Sequence, residues 1–268
     1  MIRNLFVMTL GLLATATARA DWALNMPRGV TKLSAETYDL HMLIFYVCCA
    51  IGVLVFGVMI YSLLLHRKSR GVEAASFSHN TTAEVVWTAI PALILILMAV
   101  PSAETMIKLE DSRNPDLSIV VTGYQWKWHY EYQGENVAFF SSLDRSSDEA
   151  RRKDSGIDPY TIDNYLLEVD RRLVVPRGAK VRLLVTANDV IHSWWVPDLA
   201  IKKDAIPGFI NETWFRAEES GIYRGQCTEL CGKDHGFMPV VVEVVEPEEF
   251  QAFLASEQDR STRLASTN

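Results

Sequence analysis

Between Cys227 and Met238 the chain reads Cys-Thr-Glu-Leu-Cys-Gly-Lys-Asp-His-Gly-Phe-Met, twelve residues that offer two thiolates, one imidazole and one thioether. This soft-ligand set suits copper or zinc, whereas magnesium and calcium take oxygens. Zinc is held by thiolate, imidazole and carboxylate, so a thioether in register favours copper. The count of sulfurs then sets the number of ions. A mononuclear blue-copper centre uses two His, one Cys and a weak axial Met, and a second thiolate would over-supply it. Two coppers sharing two thiolates use every donor, provided one more imidazole comes from elsewhere. His192, 35 residues upstream in Asp-Val-Ile-His-Ser-Trp-Trp-Val-Pro, is the candidate. Each copper then takes two bridging sulfurs, one His and one weaker donor: Met238 for one, the backbone carbonyl of Glu229 for the other. The competing reading of Cys227 and Cys231 is a short structural disulfide, which a Cys-x3-Cys spacing allows in an exported domain.

Three segments, Asp189 to Pro197, Gln226 to Pro239 and Gly123 to Tyr132, resemble the signature segments of subunit II of haem-copper cytochrome c oxidases. The likeness extends over nearly the whole chain after residue 20, including two apolar stretches ahead of the copper motif. The resemblance implies a cupredoxin-type Greek-key barrel with a binuclear CuA centre. It implies a role in accepting electrons from cytochrome c and passing them to haem in subunit I, where oxygen is reduced to water and protons are pumped. Residue by residue, it makes Trp126 the exposed ring at which electrons arrive and Glu131, Asp170 and Asp189 the acidic docking groups. Glu84, in Asn80-Thr81-Thr82-Ala83-Glu84-Val85-Val86-Trp87, matches a glutamate at the mouth of a proton channel in the catalytic subunit. The side chain of Glu229 matches a ligand of a magnesium ion shared with subunit I. One position departs from the pattern: Phe209 stands where the family has Arg.

The elements that must position these residues are legible in outline. Residues 1–20 read as a secretory signal, with Arg3, an apolar Leu5 to Leu13 and a small-x-small site at Ala18-Arg19-Ala20, so cleavage is expected before Asp21. An exported segment over 21–40 follows. Met42 to Leu65 carries no formal charge for 24 residues, enough to cross a ~30 Å hydrocarbon core. The expected order is a first span at 41–66, a cytoplasmic loop at 67–83 with the basic run His66-Arg67-Lys68-Ser69-Arg70, and a second span at 84–106. Pro91 and Pro101 in the second span are tolerated better in a membrane than in water. The exported domain is then 107–246 and the tail 247–268, which places the copper domain on the periplasmic side of a bacterial inner membrane. Cys48 and Cys49, inside the first span, read as small apolar residues.

Within 107–246, short β-rich runs separated by Gly, Pro and Asn turns predict a sandwich or barrel of antiparallel strands. The expected strands are Ile119 to Val121, Leu166 to Val169, Lys180 to Thr186, Glu212 to Arg216, Gly221 to Tyr223 and Val240 to Val245. Phe139 to Tyr165 reads as a long surface loop, and the tail as a short helix or a frayed end. This domain holds 17 Lys and Arg against 23 Asp and Glu, a net of −6, which suits steering of a basic redox partner. No Cys-x-x-Cys-His for a fused haem, phosphate-binding loop, zinc-peptidase motif or basic nucleic-acid tract occurs. A copper-free quinol-oxidase subunit would lack the Cys, His and Met set. A membrane-anchored copper carrier or sensor without an oxidase is the alternative that uses the same ligands.

Overall fold

The computed structural model describes residues 25–73 and 76–266, so the expected signal at 1–20 lies outside the described residues. Two long helices come first, α1 over Lys32–Leu65 and α2 over Thr81–Glu110. At the helical rise they measure about 51 and about 45 Å, more than a hydrocarbon core needs. Each therefore runs beyond the uncharged stretch that betrayed it, and caps decide where it starts. Thr31 caps α1 in a reciprocal pair with Ser34, and the Asn80 side chain accepts from the Ala83 amide at 3.1 Å. Their central side chains are apolar all round and exposed, as in Leu54, Leu63, Leu97 and Val100. Such a surface is stable only in lipid or against other membrane helices.

The outer ends of both helices are seated on the domain that follows. Val30 donates to the Asp198 carbonyl at 2.9 Å and accepts from the Glu218 amide at 3.1 Å, just ahead of α1. The Trp214 indole donates to the Lys108 carbonyl in the last turn of α2 at 3.1 Å.

Ten strands then form two facing sheets. The first has the order β3 (Val137–Ser141), β2 (Lys127–Tyr132), β1 (Leu117–Tyr124), β5 (Val181–Ala187), β8 (Asn211–Phe215). The second runs β4 (Leu173–Pro176), β10 (Pro239–Val245), β9 (Gly221–Cys227), β6 (His192–Val196), β7 (Ile201–Ala205). The chain crosses between sheets at β3–β4, β4–β5, β5–β6, β7–β8 and β8–β9, the Greek-key habit of a sandwich closing towards a barrel. Strict alternation builds the core: Ile119 and Val121 from β1, Trp128, Tyr130 and Tyr132 from β2, and Val181, Leu183 and Val185 from β5 all point inward and are fully or almost fully buried.

Three expectations need correction. Two strand neighbours are parallel, β1 with β5 and β4 with β10, because the chain visits the other sheet between them. Leu166 to Val169 is no strand: Leu166 has φ +62°, and only Val169 bridges, to Leu143. The strand begins instead at Leu173. Phe139 to Tyr165, expected as one long loop, holds the end of β3, the short helix α3 (Arg145–Ala150) and a 3-10 turn at Pro159–Thr161. The tail is a 20-residue helix, α4 (Pro247–Ser266), with Phe250, Phe253 and Leu254 against the core at Tyr132 and Phe139.

Candidate metal centre

The sheet order β10–β9–β6 creates the site. Strand β9 ends at Cys227 and β10 begins at Pro239, so residues 228–238 form one loop over the end of the sandwich. Its mouth is closed by the Cys227 amide, which donates to the Met238 carbonyl at 3.4 Å. Strand β6 pairs with β9 through Trp194 opposite Cys227, which leaves His192 at the same end, facing in and fully buried.

The ligand atoms converge. Cys227 Sγ and Cys231 Sγ are 3.8 Å apart, nearly double the ~2.05 Å of a disulfide, so both thiols are free. His192 Nδ1 lies 4.0 Å from Cys227 Sγ, and His235 Nδ1 lies 3.5 Å from Cys231 Sγ. Met238 Sδ is 3.5 Å from Cys231 Sγ, and the Glu229 carbonyl oxygen is 3.4 Å from Cys227 Sγ. Each sulfur thus has its own imidazole and its own weaker donor. The donor atoms of His192, Cys227 and Cys231 all fall within 4.8 Å of one another, a group fit for a soft cation.

Burial raises both thiols, but not equally in the end. Cys231 is held up to about 12 by burial and by the negative charge that Cys227 takes first. For Cys227, hydrogen bonding to His192 and to the backbone at Ser193 and Glu229 outweighs burial and brings it to about 7. Near neutrality Cys227 is therefore partly ionised, while Cys231 keeps its proton until a cation displaces it. His192 is opposed by burial, yet Cys227 and Asp189 together raise it.

The surrounding residues hold the candidate ligands in place by hydrogen bonds. Asp189 Oδ1 is 2.9 Å from His192 Nε2, which keeps the proton there and leaves Nδ1 free for a metal. The other Asp189 oxygen accepts from the Gln125 amide at 2.7 Å. Asp189 is thus tied to a candidate ligand, His192, beside the docking role that resemblance implies. The tight β1–β2 hairpin has Gln125 and Trp126 at its tip, and both side chains donate to the Cys231 carbonyl, at 2.7 and 3.3 Å. Trp128, fully buried beneath, meets His192 edge-on with ring centres 5.9 Å apart, and donates to the Met238 carbonyl at 3.4 Å. Nothing in the aromatic run itself distinguishes Gln125 and Trp128 as site residues. Two glycines make the approach close. A Cβ on Gly123 would sit 2.7 Å from His192 Cδ2; one on Gly232, at φ +124°, would meet Gln125 and Trp126 at 3.0 Å. Gly123→Ala is accordingly expected to cost about 1–3 kcal/mol in unfolding of the metal-free protein and to weaken copper uptake, as a thermal melt and a copper titration would read.

The remaining residues fall at different distances from this cluster. Trp126 is half-buried beside it. Asp170, exposed, lines a 390 Å³ cavity that Trp126 also lines, and Glu131 is exposed on β2. The Glu229 carboxylate is exposed and makes no hydrogen bond or ion pair among the described residues. Phe209 is exposed in the β7–β8 connection and offers no charge. Glu84 is not brought to the site: it lies in the first turn of α2, about 39 Å along the helix from Glu110.

Fold and site together define a class: a cupredoxin-like all-β domain on a two-helix membrane hairpin, with a buried sulfur and imidazole site at one end of the sandwich. Residues 117–245 match the family model "Cytochrome C oxidase subunit II, periplasmic domain", and residues 19–105 match the model of its transmembrane domain. A probable cytochrome c oxidase subunit 2 of Rickettsia bellii is 41% identical over 241 residues, covering 90% of this chain and 86% of its own. The cytochrome c oxidase subunit 2 of Cereibacter sphaeroides is 35% identical, covering 88% and 80%. Among solved structures, the periplasmic domain of subunit II from Bradyrhizobium japonicum is similar at 39% identity and TM-score 0.49, over 56% of this chain and 98% of that one. The chain belongs to the cytochrome c oxidase subunit II family. It is a membrane-embedded component of a haem-copper oxidase, with a His and Cys cluster compatible with copper.

Proposed function

We propose that this chain is the electron-accepting subunit of a cytochrome c oxidase, built to hold two copper ions between Cys227 and Cys231. The observation that supports this most is the pair of buried sulfurs at 3.8 Å, each with a separate imidazole and a separate weak donor. Copper held there supplies reversible one-electron chemistry between cytochrome c and haem in the partner subunit, where oxygen is reduced to water and protons are pumped. Cys227 and Cys231 would bridge, His192 and His235 would cap the two ends, and Met238 and the Glu229 carbonyl would complete the sets. Because Asp189, Gln125 and Trp128 already hold these groups by hydrogen bonds, little has to move when the charge of the site changes.

Trp126 gives the outer path, since its indole is hydrogen-bonded to the backbone of a bridging cysteine. Glu131 and Asp170, with the net acidic charge of the domain, attract a basic cytochrome c. The free Glu229 carboxylate is available to a magnesium ion shared with the catalytic subunit. Glu84 serves the mouth of a proton channel at the other end of α2. In this reading the β domain is periplasmic, the basic run at His66 to Arg70 is cytoplasmic, and the helices cross a bacterial inner membrane.

Copper titration followed by EPR spectroscopy tests the centre. Two coppers per chain, and a mixed-valence signal shared by two equivalent nuclei, are expected; one copper with a localised signal overturns the proposal. Met238→Leu is expected to keep both coppers, because the swap conserves volume in a buried position, while shifting the reduction potential. Potentiometric titration reads that shift, and loss of copper would show the thioether to be a main ligand.

A further inference from the structure

We infer that Arg151 is a positioning residue for the ligand loop, clamping the residues that immediately precede His235 and Met238. The inference rests on the reading that those two side chains hold metal. Arg151 follows α3 in the β3–β4 connection, more than 80 residues from the loop it touches. Its guanidinium carbon lies 4.3 Å from the centre of the Phe237 ring, and its Nη1 lies 3.5 Å from Asp234 Oδ1. From behind, Asp148 accepts from Arg151 Nε at 2.8 Å, so the planar group is held on two sides and stacked on a third.

The loop needs such a hold. Between Thr228 and Met238 there is no strand pairing. Its internal backbone bonds are short-range, from the His235 amide to the Gly232 carbonyl at 3.2 Å and from the Phe237 amide to the Asp234 carbonyl at 2.9 Å. A single 3-10 turn over His235–Phe237 therefore carries one proposed ligand and leads directly into another. Where the turn sits relative to the sandwich is set by tertiary ties. On one side these are Gln125 and Trp126 at the Cys231 carbonyl. The two ends are pinned by the Thr228 amide at the Ser193 carbonyl and by Trp128 at the Met238 carbonyl, and Arg151 is the side-chain tie on Asp234 and Phe237 between them. The Arg151 and Asp234 side chains are 25% and 24% exposed, so their attraction is screened less than that of an open surface pair.

The same 390 Å³ cavity is lined by Trp126, Arg145, Arg151, Asp234 and Phe237, which supplies a control. Arg145 carries the same charge on the same cavity, but it is largely exposed and pairs with Glu149 on its own helix. Loss of either charge changes the local field similarly; only loss of Arg151 releases the loop.

The experiment compares Arg151→Gln with Arg145→Gln in the full-length chain. Amide hydrogen exchange is followed across residues 232–238 in the metal-free protein, and copper release to a chelator is followed in the assembled oxidase. Arg151→Gln is expected to speed exchange at the His235 and Phe237 amides, and to speed copper release about tenfold, the lower end of what outer-shell changes cause. Arg145→Gln is expected to match the parent in both. Arg151→Lys keeps charge without the planar fork and is expected to fall between. If Arg151→Gln does not fold, Phe237→Leu removes the ring platform and is expected to give the same two signatures. Parent-like exchange and release in Arg151→Gln, or equal effects from Arg145→Gln, overturn the clamp. A parent chain that takes up no copper overturns the ligand reading instead, and exchange alone then decides the clamp.

Discussion

Cys231→Ser is expected to abolish two-copper loading and to lower electron transfer into the oxidase by more than about 100-fold. The change leaves the backbone and nearly all the volume in place, so the loss is chemical. A serine oxygen is hard and stays protonated, whereas a soft cation seeks thiolate. What remains near the vacated sulfur is Cys227, His192, His235 and Met238, the donor set of a single copper rather than a pair. The metal-free variant should fold, since Cys231 is a small buried group in a loop whose other ties, from Gln125 and Trp126 to its carbonyl, involve only the backbone. Loss of an outer-shell partner typically costs 10–100-fold, and removal of a bridging ligand must cost more. Metal analysis should find at most one copper per chain, with a signal localised on one nucleus. A variant with two coppers and an unchanged delocalised spectrum would refute thiolate bridging.

The proposed ligands were legible because five of the six candidate donors lie in twelve consecutive residues, and no packing argument is needed to see a soft set there. His192 was legible only as a deficit, one imidazole short. Strand pairing of β6 with β9, which brings it within 4.0 Å of Cys227, is a long-range event that no local pattern carries. Asp189 looked like a surface acid, because its spacing of three from His192 has meaning only once the chain turns there. Arg151 gave no signal at all: a cation in a polar stretch is indistinguishable from its neighbours until the fold sets Phe237 beneath it.

The fold was legible where alternation is strong and lost where composition misleads. Strands β1 and β5 are buried on every second residue and stood out, as did the uncharged stretches of the two helices. Leu166 to Val169 looks as apolar as a strand, but Glu168 is drawn off into ion pairs with Arg172 and Arg224, and Leu166 takes a left-handed turn. The strand that takes its place, Leu173–Pro176, is short and hides behind two arginines. Trp126 belongs to neither flanking strand. An alternation argument that assigns half the aromatic run to the core could not place it at the hairpin tip, where two residues join β1 to β2.

That placement gives the second large effect. Trp126→Ala is expected to slow electron transfer within the complex with cytochrome c by more than about tenfold, equal to about 1.4 kcal/mol, while changing its affinity little. The ring is half-buried and its Nε1 donates to the Cys231 carbonyl at 3.3 Å, so it joins the outer surface to the backbone of a proposed bridging residue through one hydrogen bond. Alanine removes both the ring and the bond. Trp126→Phe keeps most of the ring and loses the bond, and should fall between. Attraction is carried by other groups: Glu131, exposed on β2 and free of the ligand network, is the cleaner probe, whereas neutralising Asp189 would also disturb His192. Raising ionic strength to 0.15 M shortens the Debye length to ~8 Å, so association of a basic donor should slow. In Glu131→Gln that salt dependence should flatten, with the intracomplex rate intact. Stopped-flow mixing at several salt concentrations separates the two steps. If Trp126→Ala weakened association yet left the intracomplex rate unchanged, the ring would be a packing group, and electrons would reach the ligands by another route.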